Sequence, residues 1–334
     1  MSLSPLLVEL YLAVRPADAG AACNNNGLFP IIATGLKLLA THTDRKALAC
    51  LIAGALGIGF APIFVRLIDV GYTAAAFWRV ALSLPVLWLL RYPQQERNPE
   101  SGSIRLRWLW LMGVFFAADL AVWHQSIRFT SVANATLLAN LSPVFVTAGS
   151  VWLFGDRINA RFLAGLVLAL TGSMVVVADS FTVSLQTVLG DCFGVIAAVF
   201  YSGYLLGISR LRRHASAVEV MWWSTLACAA ALLPVVLLLG ESLWPQSGRG
   251  WAVLLGLAFV SQIAGQGLIT YALAHLPASF SSVSLLVQPV AAAVFAWVLL
   301  AEPFGAQQAL GGVIVLAGIV VCRLTMSVVP SVPH

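Results

Sequence analysis

The sequence predicts an all-α membrane protein: ten transmembrane helices in two inverted five-helix repeats. Its 334 residues are 60% hydrophobic and only 9% charged, which excludes a soluble globular domain. Beyond Ala47 the chain divides into apolar segments close to the roughly 20 residues needed to cross a hydrocarbon core. The third observation is a duplication. The stretch from Asn134 to Val175 lands without a gap on Phe280 to Val321 when moved forward by 146 positions (280 − 134). Pro143 then meets Pro289, Asp156 meets Glu302, Gly165 meets Gly311 and Gly172 meets Gly318. Unrelated apolar helices share hydrophobicity, but not a proline, an acid and two glycines in register. Duplication of this kind points to a carrier built from repeats.

The spans are expected at 47–68, 74–91, 108–127, 134–154, 160–178, 188–208, 218–239, 251–274, 279–300 and 306–323. They give a first repeat at 47–178 and a second at 188–323. Five helices per repeat is an odd number, so the halves enter the membrane in opposite senses. Residues 1–46 read as a cytoplasmic or interfacial extension. Leu3–Val14 is interrupted by Glu9 and lacks a positive region before it, unlike a secretory signal. Gly27–Ala40 is too short to span and carries Lys37. Residues 324–334 form a cytoplasmic tail. Ala53, Gly57 and Ala61, and likewise Gly165 and Ala169, recur every fourth position, as packing stripes do in lipid.

The formal charge of +5 belongs to loops rather than to a nucleic-acid face. With the N-terminus inside, Lys37, Arg45, Lys46, Arg91, Arg97, Arg105, Arg107, Arg157, Arg161, Arg210, Arg212, Arg213 and Arg323 fall at the cytoplasmic side. Only Arg66, Arg128 and Arg249 mark the other. This bias places both termini in the cytoplasm of a bacterial cell, with the spans in its inner membrane. Cys23, Cys50, Cys192, Cys228 and Cys322 are scattered and form no C-x-x-C, so neither a metal site nor a disulfide framework is implied. No G-x-x-x-x-G-K-[ST] motif is present, and no cofactor is expected. An intramembrane enzyme is disfavoured: the five histidines have no acidic neighbours, and Phe154-Gly155-Asp156 lacks the glycine two places before the acid used by intramembrane aspartyl proteases. A passive channel is disfavoured by the inverted sense of the duplication.

Three stretches together resemble the EamA branch of the drug/metabolite transporter superfamily. They are GFAPIFVRLIDVGYTAAAFWRVALSLP (59–85), WHQSIRFTSVANATLLANLSPVFV (123–146, continuing to Asp156) and PASFSSVSLLVQPVAAAVFAWVLLAEPFGAQQALGGVIVLAGI (277–319). The resemblance spans nearly everything after residue 46. It implies a ten-helix inverted-repeat carrier of small metabolites, an exporter more than an importer of a metabolite or vitamin. Where the family has Glu after the fourth helix this chain has Asp156, while Glu302 keeps the pattern. The family's helix-one tryptophan is absent beside Gly57 and Gly59.

Polar side chains at membrane depth are costly and mark a site. Helical rise places Arg79, Asp119, Asn140, Tyr201, Gln262, Gln266 and Gln288 in the middle of the bilayer, from several helices of both halves. Arg79 and Asp119 both fall roughly 9–12 Å below the outer surface, which makes a direct ion pair the expectation. That pair is either a structural clamp or a proton-coupling device. Asn140 and Gln288 flank Pro143 and Pro289, and either line a cavity or bond carbonyls freed by the helix breaks. Tyr201, Tyr204 and Trp123 complete the expected substrate cavity, with His124 near the outer mouth on one face with Arg128. Trp78, Trp88, Trp110, Trp251 and Trp297 read as interface anchors, and Arg66 with Asp69 as a local surface pair. Asp156 and Glu302 are expected to cap the helices that follow them. The mixture of Tyr, Gln, Asn and one opposite-charge pair suits amino acids or similar amphipathic metabolites. The oligomeric state is open between monomer and homodimer.

Overall fold

A computed structural model describes residues 45–97, 106–178 and 187–326. The expectations for residues 1–44 and 327–334 lie outside these. Ten helices are long and apolar enough to cross a membrane. In chain order they are α1 (Arg45–Leu67), α2 (Tyr72–Arg91), α3 (Leu106–Phe129), α4 (Asn134–Phe154) and α5 (Ala160–Val177), then α6 (Val188–Leu211), α7 (Ala217–Leu239), α8 (Gly248–Ala272), α9 (Ala278–Leu300) and α10 (Ala306–Thr325). No expected end is off by more than three residues, the widest being Leu211 against 208 and Gly248 against 251. Leucines, valines and tryptophans such as Leu89, Trp152, Val167, Leu238 and Val313 are exposed around the bundle, as a lipid-facing perimeter demands.

Four spans are broken by a turn. α1 is interrupted at Phe60, α2 at Leu82–Ser83, α4 at Asn140–Leu141 and α9 at Leu285–Leu286. Each interruption lies just ahead of a proline: Pro62, Pro85, Pro143 or Pro289. Proline has no N–H to donate and its ring collides with the preceding turn, so the helix restarts at the first turn where both faults are harmless. Pro234 is the exception, carried inside an unbroken α7. α8 is distorted differently: Leu257–Gln266 is wound as a π-helix.

Glycines set the closest helix contacts. A Cβ on Gly165 would lie 2.9 Å from the Gly318 carbonyl oxygen, and one on Gly318 2.7 Å from that of Gly165. Gly172 and Gly311 meet in the same reciprocal way, at 2.8 Å in both directions. α5 and α10 therefore run antiparallel with their backbones in contact. The four glycines thus join one half to the other and do not pack the last two helices within each half. On α1, Gly54 and Gly57 face α8, where added Cβ atoms would meet the Gly265 carbonyl at 2.7 Å and the Val260 carbonyl at 3.0 Å. Ala53 is exposed, so the expected Ala53–Gly57–Ala61 stripe is displaced by one residue at its start.

The matched acids are not N-caps. α5 is capped by Asn159, whose side chain accepts from the Phe162 N–H at 2.7 Å. Glu302 is ion-paired with Arg66 of α1 instead, and Asp69 accepts from Ser247 at 2.7 Å, so Arg66 and Asp69 are not a local pair. An acid that does serve a helix start is Glu241. It accepts from the N–H groups of Thr73 and Ala74, at 2.8 and 3.0 Å, and so neutralises the positive end of α2. Each matched turn has a residue in the left-handed region: Gly155 at φ 69° and Ala301 at φ 53°. An L-residue is disfavoured there by about 1–2 kcal/mol. Ala301→Gly should raise the thermal midpoint in detergent, whereas Gly318→Val, which overpacks the α5–α10 contact, should lower stability by about 1–3 kcal/mol. Scanning fluorimetry of both variants checks the two signs.

Candidate functional site

The breaks in α1, α4 and α9 face one another, and between them lies a cavity of about 90 Å³. α1 contributes Ile58, Gly59, Ala61 and Pro62, α4 Thr136, Asn140 and Ser142, and α9 Leu285 and Gln288. The remaining wall is Arg79 of α2, Phe116, Asp119 and Trp123 of α3, Tyr201 of α6 and Gln266 of α8. Gly59 allows the approach of α1 to α9, since a Cβ there would stand 2.9 Å from Ala291. Phe60 stacks on Phe295 at 3.8 Å beside it.

Arg79 is buried, at 4% exposure. Its Nε donates to Gln262 Oε1 at 3.1 Å, and its guanidinium lies 5.8 Å over the Phe116 ring. Gln262 in turn donates to Thr225 at 3.4 Å. The π-wound segment of α8 therefore supplies both the group that holds Arg79 and the cavity-lining Gln266. Asp119 shares the cavity with Arg79 but is not within 4.0 Å of it, and among the described residues its carboxylate has no hydrogen-bond donor. The expected direct ion pair is absent. The two charges share a cavity wall and face the same space separately.

Other polar groups in the wall are also without partners. Thr136 Oγ1, Tyr201 OH, Gln288 Nε2 and both side-chain polar atoms of Gln266 are buried and have no hydrogen-bond partner within 3.5 Å among the described residues. Buried polar groups left bare cost about 1–3 kcal/mol each, so a concentration of them around one cavity marks a place where water or a ligand completes them.

Seven of the ten residues expected in the cavity line it: Arg79, Asp119, Trp123, Asn140, Tyr201, Gln266 and Gln288. Asn140 also donates to the Thr136 carbonyl at 2.8 Å, so it finishes the first half of α4 as well as facing the cavity. Gln288 makes no such bond. Gln262 and Tyr204 stand behind the wall. Tyr204 is fully buried and stacks on Phe116 at 4.7 Å and Tyr201 at 6.2 Å. His124 is not at a mouth: it is fully buried, with Nδ1 2.7 Å from the Leu120 carbonyl oxygen, while Arg128 is exposed and donates to Gln125 at 3.1 Å. Trp78 is no simple anchor either. It clusters with Trp244 and Trp251 at 5.3 and 5.2 Å and donates to the Leu243 carbonyl. Thr136 was missed, although it lies one helical turn before Asn140 and so on its face.

Comparison with known proteins adds the family. The EamA-like transporter family matches residues 45–178 and again 188–324. The chain belongs to that family. It is a membrane transporter, and the two matches coincide with the two halves of the bundle. Among curated relatives, the pseudopaline exporter CntI of Pseudomonas aeruginosa is 26% identical over 75% of this chain and 85% of its own. An uncharacterized transporter of Archaeoglobus fulgidus is 24% identical over 83% of this chain and 96% of its own. A solved crystal structure 19% identical in sequence superposes with a TM-score of 0.71 over 84% of this chain and 97% of its own, which shows the fold.

In this EamA transporter the support of Arg79 is open to a direct test. Gln262→Leu removes the only hydrogen-bond acceptor that Arg79 has among the described residues. Loss of a bond to a charged group should destabilise the fold by about 1.5–3 kcal/mol, read by chemical denaturation in detergent.

Proposed function

We propose that this transporter is a secondary carrier that exports amino acids, or zwitterionic metabolites of similar size, across the bacterial inner membrane by alternating access. One observation carries the reading: Arg79 and Asp119 line the same cavity without pairing to each other. A zwitterion completes both, its carboxylate on the Arg79 guanidinium and its ammonium on Asp119. The bare groups of Thr136, Tyr201, Gln266 and Gln288 supply the remaining donors and acceptors.

Alternating access is supported by the repeat. Moving by 146 positions turns the Gly165–Gly318 contact into the Gly311–Gly172 contact, the exchange that a two-fold axis in the membrane plane produces. Export is supported by the relative named as an exporter. The excess of arginine at the α4–α5 and α6–α7 turns supports a cytoplasmic assignment for that face. Asp119 is the group best situated to exchange a proton for the substrate ammonium, which would couple export to the proton gradient.

Counterflow tests this. Proteoliposomes loaded with one unlabelled amino acid should take up the same labelled amino acid in a saturable way, for at least one of the common amino acids. Arg79→Gln and Asp119→Asn should each weaken that substrate by about 10–100-fold, the loss of one charge-assisted bond. Folded wild-type protein that gives no counterflow with any amino acid overturns the substrate class.

A further inference from the structure

We propose that Arg66 with Glu302, and Arg210 with Asp156, are two exchanging latches that decide to which face the central cavity opens. The proposal rests on alternating access, not on the substrate class. Glu302 and Asp156 occupy equivalent places: each follows the left-handed residue of its turn, Ala301 or Gly155, and 302 − 156 is the repeat offset of 146. Arg66 and Arg210 correspond by their place in the helix, at an offset of 144 (210 − 66): each stands one residue before the end of its span, Leu67 of α1 and Leu211 of α6. Each arginine therefore ends the first helix of one half and meets the α4–α5 or α9–α10 turn of the other half.

The two latches are in different states. Arg66 and Glu302 are ion-paired. Arg210 and Asp156 are both exposed, and neither has an ion pair among the described residues. The Arg210 guanidinium instead lies 4.9 Å over the ring of Phe154, two residues before Asp156. Arg210 is thus parked beside the acid it would take.

The closed latch stands on a path out of the cavity. A second cavity, of about 500 Å³, is lined by Arg66 and Glu302 and shares Pro62 and Thr136 with the central one. Opening that path requires the Arg66–Glu302 pair to part, and by the equivalence of the halves the other end state closes Arg210 on Asp156. Exposed pairs of this kind shift an equilibrium by at most about fivefold, which biases the two states without locking either.

The test uses the full chain in proteoliposomes, with native cysteines replaced and two cysteine pairs introduced: Arg66→Cys with Glu302→Cys, and Arg210→Cys with Asp156→Cys. A bifunctional methanethiosulfonate should bridge each pair, and each bridge should stop counterflow until it is reduced. When all four cysteines are present, mass spectrometry should find one bridge per molecule and never both. Doubly bridged molecules, or counterflow that persists through either bridge, overturn the proposal. Because exclusivity is read without substrate, it fails separately from the amino-acid assignment. Hydrogen exchange of charge variants covers the case in which the cysteine replacements do not fold. Glu302→Gln should slow exchange at the α4–α5 turn, and Asp156→Asn should slow it at the α9–α10 turn. A purely local role leaves the distant turn unchanged, and that result also overturns the proposal.

Discussion

Hydrocarbon offers no partner to a bare amide or hydroxyl, and each one left exposed to it costs several kcal/mol. That constraint organises this bundle. Proline-linked breaks in α1, α4 and α9 free backbone groups at mid-span, and they are tolerable only because all three breaks face a shared cavity instead of lipid. Polar side chains from α2, α3, α6 and α8 converge on the same space. Together they make an interior that is polar enough to hold a hydrated metabolite, inside a perimeter of leucine, valine and tryptophan.

The helices divide the work accordingly. α5 and α10 take no part in the cavity wall and meet each other through glycine backbones. Direct backbone contact replaces the hydrophobic drive that lipid does not provide. This seam joins the two halves while leaving the cavity-lining helices free of it. The π-wound part of α8 has a comparable logic. It brings Gln262 to Arg79, so the guanidinium is held by a neutral amide while Asp119 remains available. A carrier in which Arg79 and Asp119 neutralised each other would present a weaker site to a charged ligand.

Ten spans were legible in the sequence because length and hydropathy decide them, and the matched Pro143 and Pro289 marked two of the four breaks. Six of the seven residues ranked by depth line the cavity, since a polar side chain in mid-membrane has few other places to point. Depth says nothing of rotation about the helix axis, and that is where the reading failed. Gln262 was ranked with the cavity residues by depth but stands behind the wall, and His124 and Tyr204 turn into the packed core. Partners distant in sequence were equally invisible: Arg66 and Asp69 looked like neighbours, yet their partners are Glu302 and Ser247. The π-winding of α8 has no compositional signature, so Gln262 and Gln266 could be ranked by depth but not assigned to separate roles.

That the cavity is a wetted binding site is the claim on which the rest depends, and thiol chemistry measures it directly. A cysteine reacts with maleimide only as a thiolate, which requires water rather than packed hydrocarbon. Gln288→Cys, as the sole cysteine of the protein in native-like membranes, should be labelled by a membrane-impermeant maleimide added from one face. Transported substrate should slow that labelling in proportion to its occupancy. A folded Gln288→Cys protein that stays unlabelled from both faces would contradict the account.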